Sequence, residues 1–233
     1  PGKVLKTVLG KPILWYLIDR LKVSRLADKV IVATTTNKQD NLIENFCNEY
    51  NVTCFRGSES DVLGRYYKAA QKYNADTVVR ICSDSPLIDS DLVDELIYEF
   101  SLSKNCDYLS NTIDQTYPVG MNVEVFTFDA LKKAYLKGLK KYEREHVTPY
   151  IYLNTDIFSI CKRHLSKDYS NIRITVDEER DFLLIKSIIE YFSNHPNFKL
   201  RDIINLYNKD REMFKINANI FQKKYTNDRK GGV

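Results

Sequence analysis

The chain has 233 residues, 43% of them hydrophobic and 28% charged, with a formal net charge of +4. That length buries a proper core as one large domain or two small ones, and no apolar run nears the about 20 residues that cross a bilayer. The mild positive charge admits an anionic ligand but brings no basic stripe with interleaved aromatics for nucleic acid, and the opening PGKVLKTVLGKP lacks the apolar stretch of a secretory signal.

Pro12 to Leu26 reads as a helix, with Pro12 in its first turn and Leu14, Leu17, Ile18 and Leu21 at helical spacing. The β-branched KVIVATTT (29–36) is a strand. Asp40 to Tyr50 is helical, with Leu42, Ile43, Phe46 and Cys47 on one side, and VTCFRG (52–57) is the next strand. Ser58 and Asp61 have capping-box spacing and open a helix through Tyr73. TVVRIC (77–82) is a third strand, and Asp89 to Phe100 a helix. This alternation predicts an α/β fold with a mostly parallel sheet and helices on its faces.

The second half is less regular. DYLSNT (107–112) is a short strand, and YPVGMNVEVFTF (117–128) a turn followed by a strand. Asp129 to Gly138 is a helix, and EREHVTPYIYLN (143–154) is helical despite Pro149. IFSICKR (157–163) and NIRITV (171–176) are strands, and Asp177 to Phe192 is an amphipathic helix. Residues 212–233 read as a loose polar tail. With no repeat and no linker, 1–233 reads as a single domain. Cys47, Cys54, Cys82, Cys106 and Cys161 are odd in number and without C-x-x-C spacing. They predict small buried hydrophobes in a reducing, cytoplasmic setting, not a disulfide framework or zinc site.

Candidate chemistry begins in VVRICSDSPLID (78–89), where an apolar strand runs into Asp84. Ligands of a parallel sheet bind outside the carboxyl ends of its strands. In ITVDEERDF (174–182) a second apolar run ends at Asp177. Each aspartate alone reads equally well as a local cap. Together, on one rim, the two carboxylates suit Mg²⁺, which takes one or two carboxylates plus substrate phosphates. Lys3, after a Pro-Gly turn, is either a solvated lysine or an ammonium that reaches phosphate oxygens. Arg80 lies inside a strand and needs a partner or a ligand. Arg144, Glu145 and His146 sit in a charged helical segment whose plain reading is a solvated face.

PGKVLKTVLGKPIL, FRGSESDVLGRYYKAA, VVRICSDSPLID, YPVGMNVEVF, EREHVTPYIY and RITVDEERDF, in that order over about residues 1–190, resemble the cytidylyltransferases. The resemblance is to the spore-coat polysaccharide type, with the enzymes that activate 3-deoxy-manno-octulosonate and acylneuraminate as more distant relatives. It implies a GT-A-like, Rossmann-like α/β fold of the nucleotide-diphospho-sugar transferase type. It also implies transfer of CMP from CTP to an acidic sugar or related acceptor, with pyrophosphate released. By similarity Lys3 meets the triphosphate, Asp84 and Asp177 hold Mg²⁺, and the segment Arg56 to Arg65, with Ser58, lies near the nucleoside; Arg80, as a charge inside a strand, is the further nucleotide candidate. Asn122, Glu124, Arg144 and His146 face the acceptor. A homodimer is common in the family. The resemblance also places a first strand and a phosphate loop before Pro-Gly-Lys, hence before Pro1. The sheet's central position is then expected to be unfilled, and an incomplete sequence is the economical explanation. Ser83 replaces a usual glycine, and Asn122 stands where the close group often has aspartate.

Two rivals remain. A GT-A glycosyltransferase usually holds its ion with Asp-x-Asp, whereas Asp84-Ser85-Pro86 lacks the second aspartate, although Asp89 and Asp91 follow. A non-catalytic nucleotide-binding module would keep the fold without the phosphate loop.

Overall fold

The computed structural model describes residues 2–220. Gly2, at φ 82°, turns the chain into a 3-10 turn, Lys3–Leu5, followed by a two-strand ribbon, β1 (Thr7–Val8) and β2 (Lys11–Pro12). Helix α1 (Ile13–Lys22) starts after Pro12, which is its N-cap and not part of its first turn. Then come β3 (Ile31–Thr35), α2 (Asn41–Glu49), β4 (Thr53–Gly57), α3 (Val62–Lys72), β5 (Thr77–Arg80) and α4 (Ser90–Leu102). The alternation expected over the first hundred residues is present.

The cap of α3 is Asp61, whose Oδ1 accepts from Gly64 N at 2.9 Å. The expected box at Ser58 lies one step out: Ser58 Oγ accepts from Asp61 N at 3.1 Å and so braces the cap instead of forming it.

The second half runs β6 (Tyr108–Ser110), β7 (Glu124–Thr127), α5 (Phe128–Lys137), α6 (Lys141–His146), α7 (Pro149–Tyr152), β8 (Ile160–Lys162), α8 (Glu179–Tyr191), α9 (Leu200–Lys209) and α10 (Arg211–Phe214). The single helix expected over 143–154 is broken in two. Val147 has φ 74° and ψ −59°, and His146 O accepts from Thr148 N at 2.9 Å, which makes a tight γ-turn just before Pro149.

Strand pairing is mixed. β3 and β4 pair parallel, β5 and β7 antiparallel, β6 and β7 antiparallel, β6 and β8 parallel. Among the described residues β5 joins the four-stranded sheet β5-β7-β6-β8 and is not hydrogen-bonded to the β3-β4 pair. A groove of 340 Å³ runs between the facing sides of β3 and β5, floored by Leu14, Leu17, Ile18 and Leu21 of α1.

Helices cover both faces. Period-2 alternation in β6 and the strip leading through β7 sends Leu109, Val123 and Val125 into one core, with α1, α4, α8 and α9. Tyr108 and Phe126 enter the other core, with α3, α5 and α7.

Three further expectations need correction. NIRITV is extended but not a sheet strand. It makes one parallel bridge, Val119 to Arg173, and is otherwise held by loops. Cys106 and Cys161 are not separate hydrophobes: they form a disulfide, because the β6–β8 pairing sets their Cα atoms 6.1 Å apart across a sequence separation of 55. Residues 212–220, placed in the loose tail, finish α10 and a 3-10 turn (Lys215–Asn217) that buries Phe214 and Asn217. The rest of that tail, 221–233, lies outside the described residues. Among the described residues no helix is long and apolar enough to cross a membrane.

Candidate active site

The two aspartates meet because their backbones are joined. Asp84 O accepts from Val176 N at 2.8 Å and from Thr175 Oγ1 at 3.0 Å, so the segment ending in Asp177 is fastened beside Asp84. On its other side that segment lies against the 118–121 loop, where Val119 exchanges backbone bonds with Ile172 and Ile174. Gly120 allows this approach. Its φ is 107°, and a Cβ there would stand 2.5 Å from Ile174 O.

Lys3 completes the cluster from the N-terminal turn. Its Nζ donates to Asp177 Oδ1 at 2.8 Å and to Asp84 Oδ2 at 3.3 Å. Burial alone would lower the Lys3 pKa, but the bond to Asp177 and the charge of Asp84 outweigh it and raise it. Burial alone would raise the Asp177 pKa, but Lys3 and then Arg173 pull it below the usual carboxylate range. The three side chains remain 26–42% exposed, so the cluster is open to a ligand.

One oxygen from each aspartate therefore points at a single cationic position. These are hard, charged oxygen donors. Two carboxylates completed by phosphate oxygens and water form a donor set that Mg²⁺ accepts. Among the described residues no group of three or more His, Cys, Asp or Glu side chains is placed to hold a metal. The pair suits an ion shared with a phosphorylated substrate.

The family model that matches residues 1–230 is that of the cytidylyltransferases. The chain belongs to the cytidylyltransferase family. It is 41% identical over 228 residues to an uncharacterized protein, MJ1063, of Methanocaldococcus jannaschii, covering 96% of this chain and 91% of that one. It is 26% identical over 221 residues to the spore coat polysaccharide biosynthesis protein SpsF of Bacillus subtilis, covering 90% and 89%. The solved structure of a cytidylyltransferase from Leptospira borgpetersenii superposes with a TM-score of 0.89 at 33% identity, over 96% of this chain and 93% of that one. The α/β nucleotide-diphospho-sugar transferase architecture expected from the sequence is that of these cytidylyltransferases.

The other residues expected to serve this cytidylyltransferase's site are placed less simply. Arg56 is spent on its own chain: Nε donates to Thr35 O at 2.8 Å, Nη1 to Glu44 at 2.6 Å and Nη2 to Asn37 O at 2.9 Å. Arg65 Nη1 donates to Ser58 O at 2.8 Å, while its buried Nε has no hydrogen-bond partner. Burial lowers the Arg65 pKa. Arg80 pairs with Glu124 across β5 and β7, and its buried Nε also lacks a partner. Arg65 and Arg80 line the groove that ends at Ser83 and Asp84.

Glu124 lies beneath the surface. Besides Arg80 it accepts from Tyr108 Oη and Thr148 Oγ1, each at 2.6 Å. Burial alone would lower the Arg80 pKa, but Glu124 raises it well above the ordinary value. Asn122 Oδ1 accepts from Gln115 Nε2 at 3.0 Å. Arg144 ties α6 to the start of α3, donating to Asp61 at 2.5 Å and to Tyr135 O at 2.8 Å. His146 is half-buried beside the γ-turn. Burial lowers its pKa, with Arg80 adding to the effect against Glu145. Cys82 lines the same groove as Arg65 and Arg80, and burial pushes its thiol pKa up.

Asp89 and Asp91 do not join Asp84. Lys199 reaches them at 3.6 and 2.9 Å, and Asp89 also accepts from Leu200 N at 2.8 Å. The two carboxylates are tied to Lys199 and do not supply Asp84 with the second aspartate of an Asp-x-Asp site. The sequence reading missed Arg173, Thr175 and Asp181. The four-residue spacing of Arg173, Asp177 and Asp181 was visible, but it suggests a helix face, and α8 begins only at Glu179.

Proposed function

We propose that the protein transfers CMP from CTP to an acidic sugar or related acceptor, releasing pyrophosphate, in the synthesis of a surface or spore-coat polysaccharide. The observation that carries this is the convergence of Asp84, Asp177 and Lys3 on one exposed position, in a chain of the cytidylyltransferase family. The polysaccharide setting is supported by the likeness to a spore coat polysaccharide biosynthesis protein, and the acidic-sugar acceptor by a likeness over 97 residues to a 3-deoxy-manno-octulosonate cytidylyltransferase.

In the proposed reaction an acceptor oxygen forms a bond to the α-phosphorus as the bond to the β-phosphate oxygen breaks. The acceptor proton leaves to solvent, and pyrophosphate departs with the bonding pair. Asp84 and Asp177 would hold Mg²⁺, which when bound supplies charge neutralisation at phosphate oxygens. Lys3, on a short turn and two-fifths exposed, is free to swing its ammonium from the carboxylates to the departing phosphates. Arg65 and Arg80 each keep a buried, unpartnered N–H along the groove beside Asp84, a feature that favours a nearby anion. Burial favours the neutral form of His146, a candidate to relay the acceptor proton to solvent. Positioning and electrostatics supply most of the acceleration in such a transfer. The reading keeps the homodimer implied by the family resemblance, and sedimentation of the purified protein checks it; the cytoplasmic setting was expected from the cysteines, of which Cys47, Cys54 and Cys82 remain free thiols.

The test is pyrophosphate release by full-length protein with CTP, Mg²⁺ and a panel of acidic sugars. One acceptor should give CTP-dependent release, and CTP should raise Tm more than ATP, GTP or UTP. Turnover of a nucleotide sugar without pyrophosphate release from CTP would replace this reading with a glycosyltransferase. Equal Tm shifts for all four nucleotides would remove the cytosine preference.

A further inference from the structure

Asp177 lies just outside α8 on an extended segment, and its side chain is 42% exposed. A carboxylate in that position has several staggered rotamers open to it. In the structure Oδ1 is turned to the Lys3 ammonium that Asp84 also meets. What selects this orientation lies behind the site.

Asp181, fully buried in the first turn of α8, accepts five hydrogen bonds. Arg173 supplies two, Nε to Oδ1 and Nη2 to Oδ2, both at 2.9 Å. The backbone N–H groups of Asp177 and Glu178 donate to Oδ2 at 3.0 and 3.1 Å. Asn217 Nδ2 donates to Oδ1 at 2.8 Å and also to Arg173 O at 3.0 Å. Arg173 Nη2 then reaches Asp177 Oδ2 at 2.8 Å. Asp181 thus holds the backbone of Asp177, and Arg173 occupies one of its two oxygens. The other oxygen, Oδ1, is turned to Lys3 at 2.8 Å.

We propose that Arg173, clamped by Asp181 and Asn217, is a positioning residue that aims Asp177 Oδ1 at the cation, so that the 3-10 turn ending at Asn217 governs cation affinity. This rests on the cation reading of Asp84 and Asp177. Groups that orient metal ligands from behind typically change affinity by about 10–100-fold when replaced. Arg173 is also a cation near the site, and removing its charge would relieve repulsion while it loosened Asp177. The informative substitutions therefore keep net charge. N217L removes both amide donors at similar volume. R173K keeps the charge and loses the planar fork.

The experiment measures Mn²⁺ binding to full-length protein by electron paramagnetic resonance of the free ion, with CTP present. Wild type, D177N, N217L and R173K are compared, with Tm recorded for each. D177N should lose most Mn²⁺ affinity, and folded N217L and R173K should each lose about tenfold. A purely structural clamp would move Tm and leave the affinity of the folded protein alone. If N217L and R173K bind Mn²⁺ within twofold of wild type while D177N does not, the positioning role is wrong. If D177N binds as wild type does, the cation reading itself is wrong; no Mn²⁺ binding by wild type removes both. R173K carries the test if N217L does not fold, and failure of both to fold makes the clamp architectural and overturns the proposal.

Discussion

The rim and the floor of the site contain the same kinds of residue, and they use them differently. On the rim, Asp84, Asp177 and Lys3 are partly exposed and meet one another across sequence separations of 81 and 174. On the floor, Glu124 and Arg80 face each other across two paired strands, and Tyr108 and Thr148 close over the carboxylate. On the rim the three side chains are 26–42% exposed, so a ligand can reach them. On the floor, Glu124 has given both oxygens to its own chain. Charge alone therefore does not mark a binding residue; a polar atom that can be released does.

The largest expected effect comes from breaking the floor. Glu124→Gln leaves the Arg80 guanidinium buried without its counter-charge, a change worth about 3–5 kcal/mol of stability. Urea unfolding checks this. If the variant kept its stability but no longer bound acceptor, Glu124 would belong with the rim.

Next come the rim carboxylates. Asp84→Asn and Asp177→Asn should each lower pyrophosphate release by about 10²–10³-fold, the scale for removing one charge-stabilising group from a transfer reaction. Lys3 is partly solvated and Arg173 stays paired with Asp181, so Tm should move by only a few degrees. Near-normal turnover in either variant would sever that aspartate from the chemistry.

Arg144 tests the boundary between the two regions. It was expected at the acceptor, yet its donors go to Asp61, Tyr135 O and Gly138 O. Arg144→Met should cost about 1–3 kcal/mol through the acceptors it leaves unpaired and leave the acceptor KM nearly unchanged. A tenfold rise in KM at constant stability would return Arg144 to the acceptor side.

These differences also explain what the sequence could reveal. Helix and strand alternation is a local signal, so the order through α4 is readable. Strand direction is not local, and nothing in TVVRIC announces that β5 pairs antiparallel with β7. NIRITV has the composition of a strand because all of it from Ile172 to Val176 is buried, but loops bury most of it. Asp84 and Asp177 are legible because each interrupts an apolar run at the same kind of place. The commitments of Arg56, Arg80 and Arg144 are not legible, since their partners lie 12, 44 and 83 residues away. Asn217 fell in a stretch whose polar composition hides a single fully used carboxamide.

The smallest predicted effect separates rim from floor by pH. The folded-state pKa of Asp177 is depressed by Lys3 and Arg173 against the opposing pull of burial. Between the folded and unfolded pKa values the unfolded chain binds the extra proton, so stability rises with pH there. The contribution is fully present above the ordinary carboxylate value of about 4 and is lost as pH falls through the depressed value. Because Lys3 and Asp177 are both about two-fifths exposed, their pair is screened and should contribute less than about 1 kcal/mol. Asp181 is depressed in the same direction, by Arg173 and Asn217 against burial, but is fully buried. Acid unfolding below pH 4 should therefore be only slightly shallower in Asp177→Asn than in wild type. A variant as insensitive to acid as one lacking the buried acid would show that the rim, like the floor, is built to hold the fold.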